Sequence, residues 1–200
     1  MKPERKLKCL VIVAHPDDET IWMGGYILKN KSKCDFEIIS LCRKYDEDRA
    51  PKFLKVCSEL GAVCSMSDLD DEEFYDISSE EIIFRVNKLK KRANYDFVFT
   101  HGINGEYGHK RHIDVHKAVN EMIKKGYLKC NKVFYFSYKG KNELGQFCIA
   151  DDSANKFINL PNSLHLKKME LIRNIYGFNA ESFEVKSSGN VEAFKILELK

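Results

Sequence analysis

The sequence predicts an α/β fold: one Rossmann-like domain over residues 1–200, a three-layer sandwich with a mostly parallel sheet between helices. Three observations predict it. Short β-branched runs alternate along the chain with longer stretches of helical periodicity. A length of 200 residues suits one domain with a single sizeable core. The composition, 44% hydrophobic and 12% aromatic, is that of a globular chain.

The elements follow in order. Lys8 to Ala14 is a β-branched run and the first strand. Thr20 to Lys31 is helical, entered through Gly24 and Gly25, and Phe36 to Leu41 is the second strand. Lys52 to Leu60 is a helix that stops at Gly61, a residue suited to a C-terminal cap. Ala62 to Met66 is a short third strand, and Asp68 to Asp76 reads as an acidic loop. Ser79 to Ala93 carries Ile82, Ile83, Val86 and Leu89 at helical spacing. Phe97 to Thr100 is the fourth strand, Ile113 to Lys125 a helix, and Val133 to Tyr138 the fifth strand. Leu164 to Ile175 is a late helix, and a short strand closes the chain. No internal repeat, low-complexity tract or linker interrupts this pattern.

Bulk properties exclude several classes. The formal net charge is only +3 and the basic residues are spread, so no nucleic-acid partner is expected. No apolar run reaches about 18 residues, so no transmembrane segment is expected. The start, MKPERKLKCLVIVA, has a basic end and a short apolar run. That run is β-branched and lacks a small-residue cleavage site, so it reads as a strand rather than an export signal. The seven cysteines include no CxxC pair, which points to buried thiols in a reducing, cytoplasmic compartment and to no cysteine-held zinc.

Two segments carry chemistry. "AHPDDE", Ala14 to Glu19, leaves the first strand; "THGINGEYGHKRHIDVH", Thr100 to His116, leaves the fourth and holds four of the six histidines. In a parallel sheet both open onto the edge at the carboxyl ends of the strands. The first offers His15, Asp17, Asp18 and Glu19; the second offers His109 and His112, which with His116 share one face if the helix starts near His109. Two imidazoles, one carboxylate and an open position make a catalytic zinc arrangement, and a further carboxylate can serve as base. Asp18 and Glu19 taken alone read equally as an acidic first turn of a helix. His116 reads as a helix residue, and His165 as a surface one.

At these residues the chain resembles the LmbE-like family, also called the PIG-L deacetylases, zinc-dependent hydrolases that remove an N-acetyl group, usually from an N-acetylglucosamine unit. Its first motif, A-H-P-D-D-E, stands unchanged, and its second, G-x-Y-G-H-x-x-H, is here "GEYGHKRH". The resemblance runs from about Lys8 to about Tyr176. It implies that His15, Asp18 and His112 hold Zn(2+), and that Asp17 is the general base. It further implies that His109 stabilises or protonates the tetrahedral intermediate, and that Tyr107 polarises the substrate carbonyl. The implied partner is a small N-acetylated amino sugar or glycoconjugate, and a homo-oligomer is compatible with it.

The departures concentrate where substrate contacts are expected. Many bacterial members have Pro-Asp between the two histidines; here stand Lys110 and Arg111, with Asp114 as the candidate replacement for that aspartate. The Thr-Arg-Gly-like turn after the second strand is replaced by Cys42-Arg43-Lys44-Tyr45. An R-x-x-E pattern keeps its arginine at Arg49 but has Lys52 in the glutamate position. Arg43, Arg49 and His101 are therefore the candidate substrate-binding residues. The rival readings are an amidase for a larger acyl group and a catalytically silent relative that binds a glycan or a partner protein. A dinucleotide-binding oxidoreductase is disfavoured: G-x-G-x-x-G is absent after the first strand, and three carboxylates there would repel a pyrophosphate.

Overall fold

The computed structural model describes residues 5–72, 75–140 and 146–199; residues 73 and 74 of the expected acidic loop lie outside the described residues. Five strands, β1 (Leu7–Val13), β2 (Cys34–Cys42), β3 (Val63–Leu69), β4 (Asn94–Thr100) and β5 (Lys129–Phe136), run parallel. A hairpin of β6 (Tyr138–Gly140) and β7 (Cys148–Ala150) follows, then β8 (Lys156–Asn159) and β9 (Val191–Glu198). The main sheet has the order β3-β2-β1-β4-β5-β9-β8, with β9 antiparallel to both its neighbours. The order reverses between β1 and β4, so a crevice opens beyond their carboxyl ends.

Period-two alternation builds both faces from one strand. Cys9, Val11 and Val13 of β1 enter one core, while Leu10 and Ile12 enter the other. All five are fully buried. On the first face lie α1 (Asp18–Asn30) and α2 (Arg49–Leu60), which contribute Trp22, Ile27, Phe53 and Val56. On the second lie α3 (Ser79–Leu89) and α5 (Lys110–Lys124), which contribute Ile82, Val86, Val115 and Met122. A short turn, α4 (Gly105–Gly108), precedes α5; α6 (Asn162–Glu170) and α7 (Phe183–Ser187) come late. Each buried aliphatic or aromatic side chain contributes about 1.5–3 kcal/mol.

Several expectations need correction. The third strand runs on to Leu69, so Asp68 lies in a strand rather than a loop. The helix expected from Ile113 begins at Lys110, which brings His112 into its first turn. The closing strand is not short; it spans eight residues and inserts into the main sheet between β5 and β8. The late helix starts at Asn162, and its last turn, Leu171–Ile175, widens to π geometry. All seven cysteines are free, but Cys64 and Cys130 are only partly buried. Gly61 closes α2 with φ of 69°, as expected of a cap.

α1 breaks at Met23, whose φ of −148° is not helical. The break leaves N–H groups without helical partners, and β9 supplies an acceptor. The Glu192 carboxylate accepts from Gly25 N–H at 2.7 Å and Tyr26 N–H at 2.6 Å. Lys168 Nζ donates to the same carboxylate at 3.0 Å, and both side chains are fully buried. A Cβ at Gly25 would lie 2.3 Å from Leu160 Cδ1, so any larger residue there would force Leu160 to move.

Removing one partner of a buried ion pair strands the other. Lys168→Met is therefore expected to lower unfolding free energy by about 3–5 kcal/mol, read by urea denaturation. A loss below about 1 kcal/mol would show that Glu192 does not depend on Lys168.

Candidate metal centre

The first chemical segment begins where β1 ends. Ala14 N–H donates to His101 Nε2 at 2.9 Å, and the Ala14 carbonyl accepts from Cys42 N–H at 2.9 Å. Asp17 sits at φ of 127° just before α1, and its carbonyl accepts from the Thr20 and Ile21 N–H groups. Asp18 is pinned through both oxygens. Trp22 Nε1 donates to Oδ1 at 2.9 Å, and His15 N–H donates to Oδ2 at 2.9 Å. Glu19 is not an exposed first-turn acid. It is fully buried and accepts from Thr20 Oγ1 at 2.6 Å and Tyr176 Oη at 2.7 Å. Burial pushes its carboxyl up to about 7 despite those bonds.

The second segment comes off β4. His112, in the first turn of α5, places Nε2 3.2 Å from His15 Nδ1 and 3.4 Å from Asp18 Oδ2. His15 Nδ1 is 3.3 Å from the same Asp18 oxygen. Three donor atoms thus form a nearly equilateral triangle. Tetrahedral zinc bonds of about 2.0–2.2 Å require ligand separations of about 3.3–3.6 Å, so the donors fit that ion. The outer nitrogens are held as well. His15 Nε2 donates to Asp71 Oδ1 at 2.8 Å, and His112 Nδ1 donates to Glu106 Oε2 at 2.5 Å. Two further groups, His15 with His109 and His112, and Asp18 with His101 and His112, bring ligand atoms within 4.8 Å of one another and share residues with this triangle.

The charges suit a cation. Burial opposes a charged His15, yet the hydrogen bonds and charges of Asp18 and Asp71 raise it to about 10. Burial likewise opposes ionised Asp71, but His15 and Arg43 hold it at about 2. Asp18 lies well below the usual carboxylate range, because His112, His101 and His15 outweigh its burial. Metal binding at such a site displaces protons from the ligands. Burial and the Asp18 charge push Asp17 up, with Arg49 opposing. His109 is a neutral imidazole: burial, then His112 and His15, lower it to about 3.

A cavity of about 200 Å³ opens beside the triangle. Asp17, His109 and Tyr107 line it, as do Arg43 and Arg49. Arg49 Nη1 donates to Asp17 Oδ2 at 2.5 Å, and its guanidinium stacks 4.6 Å over Phe178. Arg43, at φ of 64°, donates to Asp71 Oδ2 at 2.8 Å. His101, expected at the substrate, does not line this cavity; it is fully buried behind His112, with ring centroids 3.8 Å apart. Asp114 does not reach toward His109 either. It accepts from Arg111 Nη1 at 3.0 Å, and fully buried Arg111 also donates to the Asp70 and Tyr75 carbonyls. The Lys110-Arg111 departure thus anchors the segment that carries Asp71. His116 is a helix residue whose Nδ1 donates to the His101 carbonyl at 2.9 Å, and His165 is partly buried with Nε2 donating to the Ser188 carbonyl.

Sequence reading missed Asp71, Glu106 and Phe183. Asp71 sat in an acidic run with nothing to single it out, and Phe183 lies in a five-residue helix too short for periodicity. Phe183 packs against Tyr107 at 4.6 Å and Trp22 at 6.4 Å, giving the cavity an apolar wall. Glu106 had a signal, as the only acid within the second motif. All three non-glycine residues with positive φ among the described residues, Asp17, Arg43 and Glu106, belong to this region, and strain of that kind gathers at functional sites.

Residues 10–123 match the family described as PIG-L: GlcNAc-PI de-N-acetylase. An uncharacterized protein of Acanthamoeba polyphaga mimivirus is 27% identical over 127 residues, covering 56% of each chain, so the match spans about half that relative's length. The N,N'-diacetylchitobiose deacetylase of Pyrococcus horikoshii superposes with a TM-score of 0.66 at 19% identity, over 96% of this chain and 84% of the other. The 4-carboxy-2-hydroxymuconate hydratase of Pseudomonas putida superposes with a TM-score of 0.69 at 17% identity, over 98% and 97%. Both solved structures share the fold.

Loss of the carboxylate behind a ligating histidine typically weakens metal binding about 10- to 100-fold. Asp71→Asn is expected to reduce zinc affinity within that range, measured by competition with a chromophoric chelator. Unchanged affinity would show that Asp71 does not orient His15 for metal.

Proposed function

The chain belongs to the PIG-L family, and on that premise we propose that it removes an N-acetyl group from an N-acetylglucosamine-type amino sugar or its conjugate. The observation that carries this reading is the triangle of His15 Nδ1, Asp18 Oδ2 and His112 Nε2 in the wall of a cavity that also presents Asp17. Those three residues would hold zinc. The chemistry zinc supplies there when bound is polarisation of a carbonyl and a lowered pKa for water.

The remaining work falls to the protein's own groups. Asp17 takes the proton from water as its oxygen attacks the acetamide carbonyl carbon. Burial and Asp18 raise the basicity of Asp17, and Arg49 keeps its carboxylate oriented. Neutral His109 and the Tyr107 hydroxyl line the cavity and donate to the oxygen that gains negative charge. As the C–N bond breaks, the proton on Asp17 passes to the leaving amine. Arg43, Arg49 and Asp71 give the cavity polar edges for sugar hydroxyls, while Trp22, Tyr107 and Phe183 face the acyl group.

The fold does not select the reaction, since a hydratase shares it as closely as a deacetylase does. The choice rests on the family match and on a base beside a water-activating site. A silent relative would have no need to keep both.

Asp17→Asn keeps size and replaces the base, at a strained φ where Asn is less disfavoured than most residues. It is expected to lower acetate release from N-acetylglucosamine conjugates by about 10²- to 10⁴-fold, with zinc content retained. Near wild-type turnover would remove Asp17 as the base.

A further inference from the structure

Glu106, like Glu19, is a buried carboxylate at this centre that neither touches the cavity nor belongs to the donor triangle, but Glu106 alone of the two bonds a triangle residue. It is held in a left-handed backbone conformation, φ 59°, in the tight turn before α5. Its oxygens are divided. Oε1 accepts from Gly102 N–H at 2.8 Å. Oε2 accepts from two imidazoles, His101 Nδ1 at 2.9 Å and His112 Nδ1 at 2.5 Å. His101, His112 and Glu106 are essentially solvent-free, so none of these groups has water as an alternative partner.

Proton positions follow from the obligate donors and acceptors. The Ala14 backbone amide can only donate, so His101 Nε2 is the acceptor nitrogen and its proton lies on Nδ1. A carboxylate can only accept, so His112 also carries its proton on Nδ1. That leaves His112 Nε2 with a bare lone pair, 3.2 Å from His15 Nδ1 and 3.4 Å from Asp18 Oδ2. We infer that Glu106 is a positioning residue that fixes the tautomer of His112, with His101 as a spacer tying that carboxylate to the end of β1. The link runs from the backbone of Ala14, through His101 and Glu106, to the nitrogen that faces the donor triangle. The buried His101 has this use rather than one at the substrate.

Glutamine tests the idea because it keeps the shape of Glu106 but offers only one acceptor oxygen. With that oxygen on Gly102 N–H, the amide NH₂ opposes the Nδ1–H of His101, which Ala14 fixes, and the Nδ1–H of His112; turned over, it opposes Gly102 N–H instead. Either way an acceptor of the carboxylate is lost, so the hold on the Nδ1–H form of His112 weakens and its Nε2–H form, which blocks the lone pair, gains population. The inference rests on the metal reading above, so two readouts are needed.

The first is the tautomer of His112 in the metal-free full-length protein, from long-range ¹H–¹⁵N correlations at a pH where the imidazole is neutral. Wild type is expected to show Nδ1–H on His101 and His112, and Glu106→Gln is expected to raise the Nε2–H population of His112. The second is zinc affinity by chelator competition, expected to fall about 10- to 100-fold in Glu106→Gln. An Nε2–H tautomer for His112 in wild type would overturn the inference without any variant having to fold. An unchanged tautomer and unchanged affinity in Glu106→Gln would overturn it as well. Wild-type protein that binds no zinc would defeat the metal reading alone, leaving the tautomer to decide the role of Glu106.

Discussion

The parallel pairing of β1 with β4 is the constraint on which the site depends. Cys9 to Ile12 of β1 lie opposite Phe97 to Thr100 of β4, so both strands end together at the point where the sheet order reverses. The backbone leaving β1 and the backbone leaving β4 can therefore both turn into one crevice. The Ala14 amide has no further strand partner there, and His101 supplies its acceptor. One hydrogen bond closes the seam between two segments that are 87 residues apart in sequence.

From that seam each donor group is held by a neighbouring side chain or amide, and of these holding groups Glu106 alone lies off the cavity lining. Trp22 and the His15 amide fix Asp18, Asp71 fixes His15, and Glu106 fixes His112. Arg111 holds the segment bearing Asp71 in turn. The cluster concentrates several carboxylates and imidazoles in a space largely closed to water, a costly arrangement unless the charges are matched. The shifts of His15, Asp18 and Asp71 show the matching at work. Each is moved toward its charged form against its own burial.

The parallel sheet and the two chemical segments were legible in the sequence because both depend on local pattern. β-branched runs such as Leu10 to Val13 mark buried strands, and helical stripes such as Ile82, Ile83 and Val86 mark the covering helices. The C-terminal third was less legible. β8, Lys156–Asn159, is an exposed edge with little alternation, and β9 enters the sheet from the far end of the chain. Register between distant segments leaves no mark in composition. For the same reason His101 looked like a substrate residue, although a backbone amide 87 positions away had already claimed its nitrogen. Asp71 was hidden among neighbouring acids, and only its approach to His15 separates it from them.

The donor triangle would make one metal centre of "AHPDDE" and "GEYGHKRH". Elemental analysis of the purified protein beside His112→Ala tests it most directly. About one zinc per wild-type chain and little or none in the folded variant is the expected result. Wild-type protein that stays metal-free after incubation with zinc, or a folded variant that retains the full complement, would contradict it.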